Sequence, residues 1–135
     1  MVDYKFPVTV YFSDTDCGGI VYHGSYINFA EHARSEMFSQ FFSLDTLLKD
    51  KISFVVKKLE VSYELPAHLG EHLEVVTTIN SVKRFSTVYH QRVMRGETLL
   101  TDILVKVACI NPETGHIQAI PEFVKASFKK FEEEN

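Results

Sequence analysis

The stretch Ser25-Tyr-Ile-Asn-Phe-Ala-Glu-His-Ala-Arg-Ser-Glu-Met-Phe-Ser-Gln-Phe41 decides the fold. Tyr26, Phe29, Ala30, Ala33, Met37, Phe38 and Phe41 recur at helical spacing and make one apolar face, while Glu31, Arg34, Ser35 and Gln40 fall off that stripe. This is the one long helix in a chain whose remainder reads mostly as β. Phe6 to Phe12 reads as a first strand, rich in strand formers. Ser43 to Lys49 reads as a short second helix. Four strands then follow in succession: Ile52 to Tyr63, a half-buried strand around Leu73, Val75, Thr77 and Ile79, Phe85 to Met94, and Leu99 to Cys109. The segment Leu65 to Gly70 and the segment Arg95-Gly-Glu97 are the turns between them, and Asn111-Pro112 stops the last strand. Pro121 suits the first turn of a terminal helix, with Lys129 and Lys130 near its C-terminal end.

Consecutive strands joined as hairpins give an antiparallel sheet, and one long helix covers one of its faces. The expected class is α+β, a single domain over residues 1–135 with a five-stranded antiparallel sheet wrapped around the helix. The other face of so apolar a sheet is expected to need cover, and a second copy of the chain is the simplest.

Composition narrows the function. Of 135 residues, 45% are hydrophobic, and 18 acids against 14 bases give a net charge of −4. A nucleic-acid binder would need a basic face, so none is expected as a partner. The two cysteines, Cys17 and Cys109, are far apart and form no CxxC, which favours a reducing compartment. The N-terminal residues hold an early acid and no apolar run, and no stretch is long enough to span a membrane. The expected location is cytoplasmic.

The chemistry sits just before the helix. Asp14-Thr-Asp-Cys-Gly-Gly-Ile-Val-Tyr-His23 places an acidic pair, a double glycine, a histidine and a helix start within ten residues. A carboxylate there can attack a carbonyl or deprotonate a water. The first N–H groups of a helix have no intrahelical partner and sit at the positive end of its dipole, so they can hold an oxyanion. Tyr22, His23 and Gly24 occupy that start; Gly18 and Gly19 allow the tight turn before it. Asp16 and His23 are the candidate catalytic residues. Asp14 is read as a structural turn residue, and Cys17 as a turn residue with no histidine–acid pair around it. Glu31 and Arg34 are read as a surface ion pair one helical turn apart. Asp14, Asp16 and His23 match no standard metal loop, and His68 and His72 lie in a turn and a strand start rather than on a zincin helix. No metal or other cofactor is expected.

The run from Tyr11 to Tyr26, continuing through Phe29-Ala-Glu-His-Ala-Arg-Ser-Glu36, resembles the hotdog-fold acyl-CoA thioesterases. Within them it is similar to the 4-hydroxybenzoyl-CoA thioesterase group, and most closely to its Tol–Pal-associated bacterial branch. The segment Phe54 to Tyr63 and Pro66-Ala67 fit the same pattern. The resemblance implies a sheet wrapped around the helix, a homodimer or homotetramer with active sites at the subunit interface, and Asp16 as the catalytic carboxylate. It favours a substrate-facing role for His23. It also implies that a basic cluster opening the fourth strand contacts the phosphates of coenzyme A. Lys83 and Arg84 match two of its positions and Phe85 departs from a third; Lys57, Lys58, Arg92 and Arg95 are left as solvated strand residues. Phe12 departs from a tyrosine common in that branch, so a hydroxyl there is missing or is supplied by Tyr11 or Tyr22.

The expected reaction is hydrolysis of an acyl-CoA, or of an acyl group on acyl carrier protein, to a free acid and thiol, with Asp16 as nucleophile or general base. The alternatives are a non-catalytic module that binds acyl thioesters or proteins, and a hydratase or dehydratase, for which no histidine–acid signature is present. Phe54, Val56, Tyr63 and Phe85 are candidates for shaping the acyl pocket; the acyl group itself is not readable.

Overall fold

A computed structural model describes residues 2–134. The chain runs β1 (Tyr4–Thr9), a 3-10 turn (Phe12–Asp14), α1 (Ser25–Ser39), α2 (Leu44–Lys49), β2 (Ser53–Tyr63), β3 (His72–Val82), β4 (Ser86–Arg95), β5 (Thr98–Ile110) and α3 (Glu122–Lys129). The five strands form one antiparallel sheet in the order β1-β3-β4-β5-β2. Its two edges are β1 and β2.

Helix α1 buries Tyr26, Phe29, Ala30, Ala33 and Met37 against the inner face of the sheet. Phe41 lies beyond the helix end and is partly exposed. The inner face is apolar in β3, β4 and β5, through Val75, Ile79, Tyr89, Val93, Ile103 and Val105. Helix α3 closes the end of this core with Val124 and Phe128. Phe128 meets the rings of Phe38, Phe54 and Tyr89 at centroid distances of 5.4, 6.0 and 5.8 Å, all edge-type or T-shaped arrangements that aromatic quadrupoles favour.

The first strand is shorter than its sequence suggests. It pairs with β3 from Tyr4↔Thr77 to Thr9↔His72, and β3 begins at His72. Among the described residues no partner strand remains beyond that point. Val10 still bonds Glu71 and Gly70, and then the carboxylate of Asp14 takes the N–H of Tyr11 at 2.9 Å and turns the chain. Tyr11 and Phe12 thus leave the sheet.

The outer face also differs from expectation. It carries ion pairs among half-buried apolar residues such as Val88 and Leu104. His90 Nε2 lies 2.7 Å from Asp102 Oδ1, and His90 Nδ1 lies 3.0 Å from Glu133 Oε2. Arg92 NH2 is 3.6 Å from the same Glu133 carboxylate, and Lys58 pairs with Glu60 at 3.0 Å. The C-terminal segment supplies Glu133 by running parallel to β3, with Ile79 bonded to Phe131 and Glu133 at 2.8 Å each. More exposed apolar side chains lie elsewhere: Val56, Leu59 and Tyr63 on edge strand β2, and Tyr11, Phe12 and Tyr22 on the loop before α1. Phe12 is 81% exposed.

Candidate active site

The loop from Tyr11 to Gly24 is tied down at both ends. Asp14 does the tying. Its carboxylate accepts the Tyr11 N–H, and its carbonyl accepts the Tyr22 N–H at 2.9 Å and the Ser25 hydroxyl at 3.0 Å. One residue therefore joins the 3-10 turn to the start of α1, the structural part its sequence position suggested.

Between these ends the chain makes a tight hairpin. Thr15 bridges Val21, and the Asp16 N–H donates to the Ile20 carbonyl at 3.0 Å. The Gly19 N–H returns to the Asp16 carbonyl at 3.2 Å. The Asp16 side chain is exposed, and its Oδ1 accepts the Gly18 N–H at 3.0 Å. That bond holds the carboxylate in one orientation while leaving its other oxygen without a partner among the described residues. Gly19 has φ +74°, which L side chains rarely adopt. Gly18 does not, and a Cβ there would sit 3.6 Å from Asp16 and Ile20, in ordinary contact. The turn needs glycine at one position, not both.

A second segment braces the loop from below. The Val21 N–H donates to Ala67, the Leu69 N–H donates to Gly19, both at 2.9 Å, and Ile20 bridges His68. Glu71 locks this brace. Its Oε1 accepts the His68 N–H at 2.6 Å and lies 3.0 Å from Arg95 NH1, which also donates to the Pro66 carbonyl at 3.2 Å. Burial alone would raise the Glu71 pKa; the His68 N–H and the Arg95 guanidinium outweigh it and hold the carboxyl below its ordinary value.

The helix start has donors to spare. Gly24 is the N-cap and offers no side-chain cap, and the Ser25 N–H bonds back to the Tyr22 carbonyl at 2.9 Å. The Tyr22 N–H is committed to Asp14, so of the three candidate donors it is already used. The N–H groups of His23 and Gly24 have no partner among the described residues. A Cβ on Gly24 would fall 2.8 Å from the Tyr22 ring, so the close packing of that ring favours glycine at the N-cap. The rings of Tyr22 and His23 lie 4.2 Å apart, tilted by 42°, and both side chains are exposed. Tyr22 thus sets its ring beside that of His23, and Tyr11 is the other exposed tyrosine of the loop. Tyr63, from the end of β2, donates through its hydroxyl to the His23 carbonyl at 2.8 Å. Burial first, and the neighbouring Tyr22 second, push the Tyr63 phenol above its ordinary pKa, so it stays protonated as a donor.

A family sequence model decides what this arrangement belongs to: that of the thioesterase superfamily matches residues 18–101. This chain is a member of the thioesterase superfamily. It is 42% identical to the acyl-CoA thioester hydrolase YbgC of Escherichia coli O157:H7 over 94% of this chain and 96% of that protein. It is 41% identical to the acyl-CoA thioesterase YbgC of Haemophilus influenzae over 93% of each. Among solved structures, the probable thioesterase from Bartonella henselae superposes with a TM-score of 0.78 at 31% identity, covering 88% of this chain and 98% of that one.

Other residues of this thioesterase sit apart from the loop. Lys83 and Arg84 are exposed in the hairpin between β3 and β4, where the Lys83 N–H bonds Ser86 and the Arg84 guanidinium lies over Phe85 at 5.1 Å. The brace lies next to the other end of β3, which has eleven residues and so spans roughly 35 Å. One copy of the chain does not bring the basic pair to its own Asp16. Phe54 and Val56 line a cavity beside α1, whereas Tyr63 holds His23 and Phe85 stays in the distant hairpin. Arg92 and Arg95 are not solvated strand residues: each is paired with carboxylates. Arg34 is no surface partner of Glu31. Its NH1 donates to the side chain of fully buried Gln91 at 2.9 Å, and its guanidinium lies 5.8 Å from the Tyr89 ring. Cys17 is exposed and Cys109 buried, both free; burial raises the Cys109 pKa. Among the described residues no cluster of three or more His, Cys, Asp or Glu side chains could hold a metal ion, and no helix is long and apolar enough to cross a membrane.

Sequence reasoning missed Glu71 and read Arg95 and Tyr63 in other parts, as a solvated strand residue and a candidate wall of the acyl pocket. The pairing of Glu71 with Arg95 spans 24 residues and that of Tyr63 with His23 spans 40, so no local pattern marks them.

Proposed function

We propose that this thioesterase hydrolyses acyl-CoA thioesters in the cytoplasm, through one domain that works as a homodimer or a pair of homodimers. The observation that carries the reading is the presence, on one clamped loop, of an oriented, exposed Asp16 carboxylate and of His23 and Gly24 N–H groups that have no partner among the described residues. The high identity to acyl-CoA thioesterases along nearly the whole chain supports the substrate class.

The thioester carbonyl would sit with its oxygen toward His23 and Gly24. Asp16 then attacks the carbonyl carbon, or takes a proton from a water that does so. The carbonyl π electrons move onto oxygen, and the helix-start N–H groups hold the resulting anion. Collapse of the tetrahedral centre breaks the C–S bond and releases coenzyme A as its thiol once protonated. If Asp16 itself attacked, a water then cleaves the acyl-aspartyl anhydride and restores the carboxylate. One such N–H donor is worth about 3 kcal/mol in the transition state. His23, exposed beside the loop, would face the substrate.

Two copies joined along β2 would cover Val56 and Leu59 and bring the aromatic rim of the loop against a neighbour. Lys83 and Arg84 of a second copy are the groups that would then meet the coenzyme phosphates, with acyl carrier protein as the other source of the same thioester.

The test is release of free thiol from a panel of acyl-CoAs, run beside sedimentation equilibrium on the same protein. Turnover by a dimer or tetramer supports the proposal. Binding of acyl-CoA without thiol release would leave a non-catalytic module, and a fully active monomer would remove the shared site.

A further inference from the structure

A cavity of about 330 Å³ lies between α1, α2 and strands β2, β4 and β5. Its walls are mostly apolar, with Phe38, Leu47, Ile52 and Phe54 among them. Arg34 enters from α1 and Tyr89 from β4. A chain of hydrogen bonds fixes Arg34. Its NH1 donates to Gln91 Oε1 at 2.9 Å, and the Gln91 amide donates in turn to the Ala30 carbonyl at 2.9 Å and to Thr77 Oγ1 at 3.1 Å. That is the sole side-chain hydrogen bond of the guanidinium among the described residues, and the nearby Glu31 carboxylate makes no ion pair with it there. Burial depresses its pKa; Tyr89 and Glu31 act on it only through space and do not make up the difference. The Tyr89 hydroxyl also has no hydrogen-bond partner among the described residues, and burial keeps it protonated far above neutrality.

A guanidinium has five N–H donors, and shielding them from water without acceptors is unfavourable. A cavity with apolar walls and surplus donors at its inner side is matched by a ligand of the same pattern: an apolar chain that ends in an oxygen acceptor, best an anion. Helix α1 leads from the loop to this cavity. From Ser25 to Arg34 it rises about 14 Å, a distance that a medium-length acyl chain spans.

We propose that this cavity receives the far end of the acyl group and that Arg34 binds a carboxylate there, so that thioesters of dicarboxylic acids are a favoured substrate class. This rests on the acyl-CoA reading of the loop given above. Glu31 also lines the cavity and is exposed, so its charge opposes an incoming carboxylate. It sets a limit on affinity that a substitution can lift.

The experiment compares two medium-chain acyl-CoAs of equal length, one ending in a methyl group and one in a carboxylate. The quantity read is the ratio of their kcat/KM values, carboxylate over methyl. Arg34→Met is expected to lower this ratio at least tenfold, with partial recovery in Arg34→Lys; Tyr89→Phe lowers it less, and Glu31→Gln raises it. A ratio unchanged by Arg34→Met overturns the proposal. So does a wild-type enzyme that rejects the carboxylate-ended thioester by tenfold or more, a result that needs no variant to fold. Calorimetric titration of the Asp16→Asn protein with both thioesters, and with the free dicarboxylic acid, separates binding from turnover. Arg34-dependent binding of the carboxylate-ended thioester supports the proposal even if no acyl-CoA is hydrolysed. Arg34-dependent binding of the free acid alone overturns it and makes the cavity a product site.

Discussion

The hydroxyl of Tyr63, the last residue of β2, donates a 2.8 Å hydrogen bond to the backbone carbonyl of His23, one residue before the N-cap of α1. An edge strand thereby holds the peptide unit whose other side presents the Gly24 N–H. Tyr63→Phe removes only this bond. An exposed hydrogen bond contributes roughly 0.5–1.5 kcal/mol net. The account predicts a small change in melting temperature and a several-fold fall in kcat, because the donor is aimed less well. A variant with unchanged kcat in thiol-release assays would mean that the bond is ornamental to the chemistry.

Gly18 and Gly19 should behave differently although they are neighbours. Gly19 has φ +74°, and a side chain in that region costs about 1–2 kcal/mol. Gly18 has room for a methyl group. Gly19→Ala is therefore expected to destabilise the protein in urea titration by about that amount and to reduce turnover, while Gly18→Ala stays close to wild type. Equal effects would contradict the turn geometry.

The brace should fail in acid. Glu71 has a folded pKa below its ordinary value. Such a group stabilises the fold above the unfolded carboxylate pKa, and that contribution fades as pH falls through the lower folded pKa. Glu133, held down against burial by His90, Asn80 and Arg92, acts in the same direction. Stability should drop between about pH 4.3, the free glutamate value, and the lower folded values. Glu71→Gln is expected to flatten that drop and to lower the melting temperature at neutral pH. A pH profile parallel to wild type would place the acid sensitivity elsewhere.

Lys83→Ala combined with Arg84→Ala should raise KM for acyl-CoA and leave kcat nearly unchanged. Phosphate contacts made equally in the ground and transition states appear in KM alone. The defect should shrink with an acyl-pantetheine substrate, and higher salt should weaken wild type toward the variant. An equal defect on both substrates would return the pair to a role in the hairpin.

The architecture was legible because two periods are written plainly. Tyr26, Phe29, Ala33 and Met37 mark α1, and the alternation from Leu73 to Ile79 marks β3. Ends were less legible, since they depend on partners. Tyr11 leaves the sheet because β3 starts at His72 and Asp14 captures its N–H, neither of which is visible from strand propensity. The loop motif itself was legible from local spacing, including the structural part of Asp14. The fate of the Tyr22 N–H was not, because its acceptor is a carbonyl eight residues earlier. Arg34 was misread for a related reason. Its partner Gln91 is 57 residues away on an inward-facing strand position, where alternation leads one to expect an apolar side chain.

The central claim is that the Asp16 carboxylate performs the chemistry, and Asp16→Asn measures it most directly. The amide is nearly isosteric and its oxygen can still accept the Gly18 N–H, so circular dichroism, melting temperature and assembly state should match wild type. Loss of a general base typically costs at least about 10²-fold, and kcat for acyl-CoA is expected to fall by that factor or more. A folded Asp16→Asn enzyme with near-normal turnover would contradict the account.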